Sequence, residues 1–194
     1  MYDKNKLTSC SDREADAALI FCLLVCGSLL LLQVSFLVLL GRNWVCSCGE
    51  IRLWQGTLDP VHNSQQLADP YTLLHVVFGC VLFLWLSSVR PRWPLGRMVC
   101  YAVASSVIWE IIENVPLMVR LFSNEGGSLH YSGDSIGNSL SDTVAVCIGF
   151  SVSARLAKSL TAALVIGLEC LTFFTIGDSI LAGALRLLRV TVSP

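Results

Sequence analysis

The distribution of charge constrains this chain more than any other feature. Residues 17–40 contain no ionisable side chain other than two cysteines. A helix rises about 1.5 Å per residue and the hydrocarbon core of a membrane is about 30 Å thick, so this run can cross a membrane with some tilt. Later apolar segments each carry ionisable residues: His75, Glu110, Glu113, Asp142 and Glu169. Because a charge inside a spanning helix is costly and usually marks a site, the sequence predicts a multi-pass membrane protein with a polar cluster.

The composition agrees with this prediction. Apolar residues make up 54% of the chain and charged residues only 14%, whereas a soluble domain is nearer a quarter charged. Four to six spans fill most of 194 residues, which favours a single integral membrane domain over residues 1–194. The net charge of −1 gives no reason to expect a nucleic-acid partner. The first apolar run is longer than the core of a cleavable signal, so we expect it to remain as an anchor.

We expect an all-α fold, a membrane helix bundle of about five spans with a short C-terminal helix that is interfacial or a sixth element. The second span begins at Asp69 and Pro70, a capping residue followed by a proline at the first helical position. Pro116 kinks or ends the third span. Residues 1–16 form a polar tail, and two long polar loops follow the first and third spans. The predicted spans are residues 17–40, 69–89, 95–119, 134–154 and 159–176, the loops are 41–69 and 120–133, and the short helix is 178–190.

The distribution of lysine and arginine predicts the orientation. With five alternating spans, the tail and the turns near residues 90–97 and 155–158 share one side and hold eight positive residues. The other side holds five, spread over much longer loops. The positive-inside rule then places the N-terminus in the cytoplasm and both long loops outside it.

The polar residues of the spans lie at similar depths. Counted from the outer end of each helix, they lie about 6 to 15 Å below the surface on four different helices. Their spacing also defines faces, because residues three or four apart lie on one side of a helix. Glu110 shares a face with Glu113 and Asn114, and Asp134 shares one with Asn138 and Asp142. Such faces must meet one another or water, since lipid cannot satisfy them.

These residues are candidates for two kinds of role. If the protein is an enzyme, an acid–base or metal-holding role falls to four of them, namely His75, Glu110, Glu113 and Asp142. Seven further residues are candidates for binding: Asp69, Tyr71, Asn114, Tyr131, Asp134, Asn138 and Glu169. Spans two to five offer no lysine or arginine at this depth, so either some of the acids are neutral or a divalent cation neutralises them.

A simpler interpretation exists for each residue taken alone. A single histidine such as His75 on an apolar helix often makes only a helix–helix hydrogen bond. Cys46 and Cys48 form a short C-x-C element, which suits either half of a metal site, with His62 or Cys10 as further ligands, or a pair of surface thiols. The agreement in depth among several helices favours a functional site over these separate explanations.

Four sequence pieces carry a resemblance to a known family. They are C-S-C-G-E-I-R-L-W-Q-G (46–56), N-S-Q-Q-L-A-D-P-Y-T-L-L-H-V-V-F-G (63–79), W-E-I-I-E-N-V-P (109–116) and Y-S-G-D-S-I-G-N-S-L-S-D-T (131–143). Together they resemble a family of uncharacterised bacterial inner-membrane proteins that is common in alphaproteobacteria. The resemblance covers roughly residues 40–180 and implies a location in the bacterial inner membrane, without an assigned activity.

A more distant resemblance rests on the order of single residues. Asp69 and His75, then Glu110 or Glu113, then Asp134 or Asp142, resemble the pattern of VanZ-like membrane proteins. That resemblance implies a role in the cell envelope.

Three functions follow from the sequence. The first is a polar pocket that opens to the extracytoplasmic side and binds or processes an envelope lipid or a lipid-linked headgroup. The second is a proton- or cation-coupled transporter with a carboxylate relay, against which stand the small size and the lack of an internal repeat. The third is a structural membrane protein whose polar residues only join helices. The expected partner is membrane lipid, and a homo-oligomer would weaken the objection to transport.

Overall fold

The computed structural model describes residues 4–57, 59, 61–124 and 131–184, with side chains from residue 16 onward except that of residue 124. The fold is an all-α bundle, which confirms the predicted class. The helices are α1 (Lys4–Leu39), α2 (Thr72–Val89), α3 (Leu95–Asn114), α4 (Pro116–Asn124), α5 (Ile136–Ser153) and α6 (Lys158–Ile176).

Four of the described helices are long and apolar enough to cross a membrane: α1 over Asp16–Leu39, α2, α3 and α6. Helix α5 is as long as α2 but more polar, because one face of it carries Asn138, Ser139, Asp142 and Thr143, all of them buried. An inward polar face lowers the hydropathy of a helix without placing polar groups in lipid. That α5 forms a further span remains a prediction.

Contacts between α1, α2, α3 and α5 show that these helices alternate in direction along the chain, so that α1 and α3 point one way and α2 and α5 the other. Helices α2 and α5 run parallel, since His75 faces Asp142 near one end and Phe83 packs on Phe150 toward the other. The end of α1, the end of α3 and the start of α5 meet at one end of the bundle. There Arg42 donates to the carbonyl oxygen of Asn114. The 41–69 loop meets residues 131–135 at the same end, through hydrogen bonds from Gln65 to Gly133 and from Ser135 to Ser64, and we call this the loop end.

An apolar layer closes the other half of the bundle. Leu86, Met98, Ala102 and Phe150 are buried there in one cluster, with Phe83 packed against it. Leu86 lies eleven residues beyond His75 on α2, about 16 Å along the helix axis. The polar residues of the spans therefore lie near the loop end, on one side of this layer.

The first helix begins earlier than predicted. The polar residues at the start of the chain belong to this helix from Lys4 onward, since α1 spans Lys4–Leu39. Residues 4–16 contain neither proline nor glycine, so no helix breaker separates them from the apolar run. Residues 1–3 lie outside the described part of the chain.

Three other predicted boundaries shift. Helix α2 begins at Thr72 rather than at Asp69, whose carboxylate accepts from the N–H of Tyr71 in the turn before the helix. Helix α3 ends at Asn114, because Val115 must be extended before Pro116, as its ψ of 148° shows. Pro116 then starts α4, which occupies the first part of the predicted 120–133 loop.

The end of the chain is described in part. Gly177 ends α6 with a φ of 70°, in the left-handed region that favours glycine. Residues 180–184 are helical, which agrees with the start of the predicted short helix over 178–190. Residues 125–130 of the predicted 120–133 loop and residues 185–190 of the predicted short helix lie outside the described residues, as do residues 191–194.

Candidate functional site

His75 lies between two carboxylates from different helices. Its Nδ1 is 3.5 Å from Glu110 Oε1 on α3, and its Nε2 is 3.7 Å from Asp142 Oδ2 on α5. Glu113, one turn beyond Glu110, places a carboxylate oxygen within 4.8 Å of the corresponding atoms of His75 and Glu110. Only 12% of the histidine side chain and 1% of Glu110 are exposed. Three helices thus bring these four residues together, and we call them the His75 cluster.

Glu110 is held in place by a chain of buried hydrogen bonds. Its Oε2 accepts from Ser139 Oγ at 2.8 Å, and Ser139 Oγ accepts from Gln33 Nε2 of α1, also at 2.8 Å. Gln33 Oε1 in turn accepts from Thr143 at 3.3 Å. The Oε1 atom of Glu110 and the Oδ1 atom of Asp142 are buried without a hydrogen-bond partner among the described residues. Gln33 was missed from the sequence because a single glutamine leaves the first apolar run uncharged.

A second polar group lies above the cluster at the loop end. Asp134 Oδ2 accepts from the Asn114 side chain, Asp134 Oδ1 accepts from the Tyr131 hydroxyl at 3.0 Å, and the Asp134 N–H donates to Asn114 Oδ1 at 2.9 Å. Burial raises the pKa of Asp134 from 3.8 to about 6, although these hydrogen bonds oppose the shift. Burial and the nearby carboxylate of Asp134 raise the pKa of Tyr131 well above its ordinary value.

Arg42 reaches this second group from the end of α1. Its guanidinium donates to the carbonyl oxygens of Ser132 and Asn114 and packs against Gly133. Gly133 has a φ of 89°, and a side chain there would overlap the guanidinium. The sequence analysis counted this loop arginine for the orientation, but it looked for positive charge near the acids only on the spans, and so did not place Arg42 at the site.

The loop before α2 presents an unpartnered amide to the site. Asp69 fixes the loop by accepting from the backbone N–H of Ser64 and of Tyr71, and burial raises the pKa of this carboxyl. Ser64 has a φ of 56°, an uncommon conformation for a residue other than glycine. Beside it, Asn63 is 2% exposed, and neither its Oδ1 nor its Nδ2 has a hydrogen-bond partner among the described residues.

A cavity of about 460 Å³ is lined by His75 and Glu113 of the cluster, by Tyr131 of the second group and by Asn63 of the loop. It lies between α2, α3, α4 and residues 178–184. Its polar lining residues are Asn63, Ser64, Tyr71, His75, Glu113, Tyr131, Asp178 and Ser179, and its apolar lining includes Leu74, Phe78, Trp109, Phe122 and Ile180. Trp109 and Ile180 are 39% and 43% exposed, so part of the cavity wall lies at the surface of the bundle. No lysine or arginine is among the described lining residues.

The remaining candidate residues lie in different places. Tyr71 lines the cavity, and Asn114 and Asp134 belong to the group above the cluster. Asn138 is buried but donates to the carbonyl oxygen of Gln66, so its amide holds the 41–69 loop rather than joining the His75 cluster. Glu169 of α6 accepts from the N–H of Ile180 at 3.4 Å, and none of its described contacts is with the cluster.

The C-x-C element forms a disulfide between Cys46 and Cys48. His62, one of the ligands considered for a metal site there, lies close by, with a ring nitrogen within 4.8 Å of both sulfur atoms. Its Nδ1 is also 2.8 Å from Asp59. The side chain of Cys10 lies outside the described part of the structure.

Comparison with known proteins shows the family. The family model described as "Protein of unknown function (DUF2585)" matches residues 37–192. A UPF0314 protein of Brucella anthropi is 39% identical over 167 residues, which are 86% of this chain and 84% of that protein. A UPF0314 protein of Rhizobium meliloti is 38% identical over 91% of this chain and 88% of its own length. A UPF0314 protein of Sphingopyxis alaskensis is 35% identical over 84% of this chain and 87% of its own length. No solved structure matches.

The chain therefore belongs to the DUF2585 family. This confirms the predicted membership of an uncharacterised alphaproteobacterial family. The more distant similarity to VanZ-like proteins remains a prediction.

Proposed function

We propose that this DUF2585 member is a multi-pass inner-membrane protein that binds an envelope lipid or a lipid-linked headgroup in the cavity beside His75. One observation carries the proposal: the same cavity is lined by apolar side chains such as Leu74 and Phe78 and by polar groups such as Asn63 and His75, and its wall includes the exposed side chains of Trp109 and Ile180. Apolar acyl or prenyl chains suit the apolar lining residues, and a polar headgroup suits the polar ones. Its volume falls within the usual range of small-molecule sites.

Polar atoms without hydrogen-bond partners support a ligand beside the polar lining residues of the cavity. Buried amides in proteins are nearly always hydrogen-bonded, because an unpartnered amide costs about 1 to 3 kcal/mol. Asn63 is buried at the cavity wall with neither amide atom bonded to a described residue. A headgroup rich in hydroxyl or phosphate oxygens would supply the missing partners. The left-handed backbone of Ser64 fits a loop held in one conformation to present this amide.

The His75 cluster gives the site a capacity for acid–base chemistry. An imidazole between two carboxylates can take up a proton on one nitrogen while a carboxylate orients the other. In an enzyme of this kind, His75 and Glu113, which both line the cavity, would contact the ligand. Glu110 and Asp142 would position the histidine from α3 and α5.

Two features support an extracytoplasmic site. Disulfides persist mainly in oxidising compartments such as the bacterial periplasm, and the loop that carries the Cys46–Cys48 disulfide lies at the same end as the cavity. The lysine and arginine bias independently favours a cytoplasmic N-terminus. In this orientation the ligand enters from the outer leaflet.

The rival functions fit the geometry less well. A proton or cation relay needs polar groups across the whole membrane, but the apolar layer around Leu86 and Phe150 fills the other half of the bundle. A purely structural cluster should satisfy its own polar atoms, but Glu110, Asp142 and Asn63 each keep at least one polar atom without a hydrogen-bond partner in the part of the chain that the structure describes. Both observations favour a ligand.

The test measures lipids retained by the purified protein in nanodiscs, by extraction and mass spectrometry. We expect one lipid class to be enriched over the bulk membrane. The variant Gly183→Trp should abolish the enrichment, because Gly183 lines the cavity with open space beside it. Gly167→Trp is the matched control, since Gly167 lies on α6 with nothing within 4 Å of an added Cβ. Retained lipids identical to the bulk membrane would contradict the proposal, and ion-driven uptake in vesicles would favour the transporter.

A further inference from the structure

We infer that His75, Glu110 and Glu113 form a site for one divalent zinc-like metal ion, with an open coordination position that faces the cavity. The three residues come from α2 and α3, and their ligand atoms lie within 4.8 Å of one another. An imidazole nitrogen with two carboxylates is a donor set that suits Zn²⁺.

The distance between His75 and Glu110 supports coordination better than direct bonding. Their Nδ1 and Oε1 atoms are 3.5 Å apart, which is long for a hydrogen bond. Two ligands about 2.1 Å from a tetrahedral metal ion lie about 3.4 Å from each other. The two atoms are thus spaced as neighbouring ligands of one ion.

The unbonded atom of Glu110 is independent support. Ser139 holds Glu110 Oε2, and this contact turns Oε1 toward His75. Glu110 is 1% exposed, and its Oε1 has no hydrogen-bond partner among the described residues. A buried carboxylate oxygen without a partner is costly, and coordination to a cation would remove that cost.

Asp142 completes the arrangement from the other side of the imidazole. Histidines that bind metals usually donate their second ring N–H to a carboxylate, which fixes the tautomer and the ring orientation. Here the Nε2 atom of His75 faces Asp142 Oδ2 at 3.7 Å, whereas Nδ1 faces Glu110. Nδ1 is then left for the metal.

The charges are consistent with a divalent ion. Glu110 and Glu113 together balance two positive charges, and the described cavity lining offers no lysine or arginine to do so. His75 and Glu113 line the cavity whereas Glu110 lies behind them, so the fourth position of a tetrahedral ion points into the cavity. A phosphate or hydroxyl oxygen of the headgroup would fill it. This account of the fourth ligand rests on the proposed function, whereas the metal site itself does not.

The experiment titrates Co²⁺ into metal-stripped, detergent-purified protein and records visible absorption, because four-coordinate Co²⁺ absorbs far more strongly than hydrated Co²⁺. We expect one equivalent to bind with an intense spectrum and Zn²⁺ to displace it. Glu113→Gln and His75→Ala should each weaken Co²⁺ binding about tenfold or more. Asp142→Asn should weaken Co²⁺ binding less than either of these substitutions does. Glu169→Gln is the matched control, because it neutralises a carboxylate on α6 outside the cluster.

The wild-type measurement does not depend on whether a variant folds. Wild-type protein without the intense Co²⁺ spectrum would overturn the inference, as would a folded Glu113→Gln protein, checked by gel filtration, with unchanged affinity. Lipid retention is measured on the same samples. Lipid enrichment without metal binding would reject the metal site alone, and metal binding without lipid enrichment would reject the proposed function alone.

Discussion

Gly149 of α5 lies directly against the backbone of Val76 of α2. A Cβ at Gly149 would be 2.8 Å from the carbonyl carbon of Val76 and 3.0 Å from its Cα, and it would overlap the carbonyl oxygen. Gly79 makes the reciprocal contact, since a Cβ there would be 2.8 Å from the Phe150 nitrogen. Two glycines thus let two backbones touch, as small residues do between membrane helices. Because Val76 follows His75 directly, this contact also sets the distance between His75 and Asp142.

The first prediction is that Gly149→Ala destabilises the protein. The added methyl group can be accommodated only if the backbones of α2 and α5 move apart, and overpacking of this kind costs about 1 to 3 kcal/mol. Thermal unfolding in detergent measures the effect. Gly167→Ala is the control, because that helical position has open space and alanine favours a helix over glycine by about 1 kcal/mol. Equal midpoints for Gly149→Ala and wild type would show that the helices are not in contact as described.

The second prediction concerns the packing of α1 on α3. The Sγ atoms of Cys22 and Cys100 are 3.0 Å apart. These two are among the six free cysteines of the described side chains. Mild oxidation of a variant that keeps only Cys22 and Cys100 should form an intramolecular disulfide. To detect this disulfide, a protease site is inserted in the 41–69 loop and the chain is cut there. The two fragments should stay joined on a gel without reductant and separate with reductant. A variant with Cys22 and Cys170 serves as the control, and equal crosslinking of the two pairs would contradict the α1–α3 contact.

The sequence predicted the fold class and most helices because length and apolar content determine which segments can cross a membrane. It also predicted that His75, Glu110 and Glu113 share a depth, since the rise per residue is fixed, and the structure places them together. It could not predict the role of Asn138, because its hydrogen bond to Gln66 depends on how a long loop folds back. Gln33, Arg42 and Asn63 were missed because no periodic pattern marks them: Gln33 is a single uncharged residue in an apolar helix, and Arg42 and Asn63 lie in a loop.

The third prediction concerns topology. With the N-terminus in the cytoplasm, an impermeant maleimide added to intact cells should label Cys46 and Cys48 only after mild reduction of their disulfide. Cys10, tested in a variant that lacks the other cysteines, should react only after the cells are permeabilised. Labelling of Cys10 from outside would reverse the orientation and place the cavity on the cytoplasmic side.

The fourth prediction is a pH dependence of stability that arises from Asp134. Burial raises its pKa in the folded protein to about 6, above the ordinary 3.8. Between these two pH values the folded state therefore keeps the carboxyl proton, whereas the unfolded state has lost it. Stability should therefore fall as the pH rises from about 3.8 to about 6, by up to about 3 kcal/mol from this group. Thermal midpoints across this range measure the slope.

The control for this prediction compares two substitutions. Asp134→Asn should reduce the slope without abolishing it, because burial also raises the pKa of Asp69. Asp16→Asn, at an exposed position, should leave the slope unchanged. An Asp134→Asn protein with the wild-type slope would show that this carboxyl does not titrate differently on folding.

The last prediction concerns the protonation of the His75 cluster when its metal is removed. Without a metal ion, the one group among the described contacts of the cluster that could carry a positive charge beside Glu110, Glu113 and Asp142 is His75, and it does so only when protonated. Desolvation and repulsion between like charges then disfavour ionisation of all three acids. Chelator-treated protein at pH 7 should therefore show the infrared C=O band of a protonated carboxyl, and reloading with Zn²⁺ should remove it.

Substitutions assign this band to the cluster. Glu113→Gln or Glu110→Gln should abolish or shift it, because the proton is shared among interacting acids rather than fixed on one. Glu169→Gln should leave it unchanged, since the carboxylate of Glu169 bonds to the N–H of Ile180 instead. A chelated protein in which every acid of the cluster is ionised would mean that other groups stabilise the charges. In that case the polar residues would be better explained as contacts that hold the helices together.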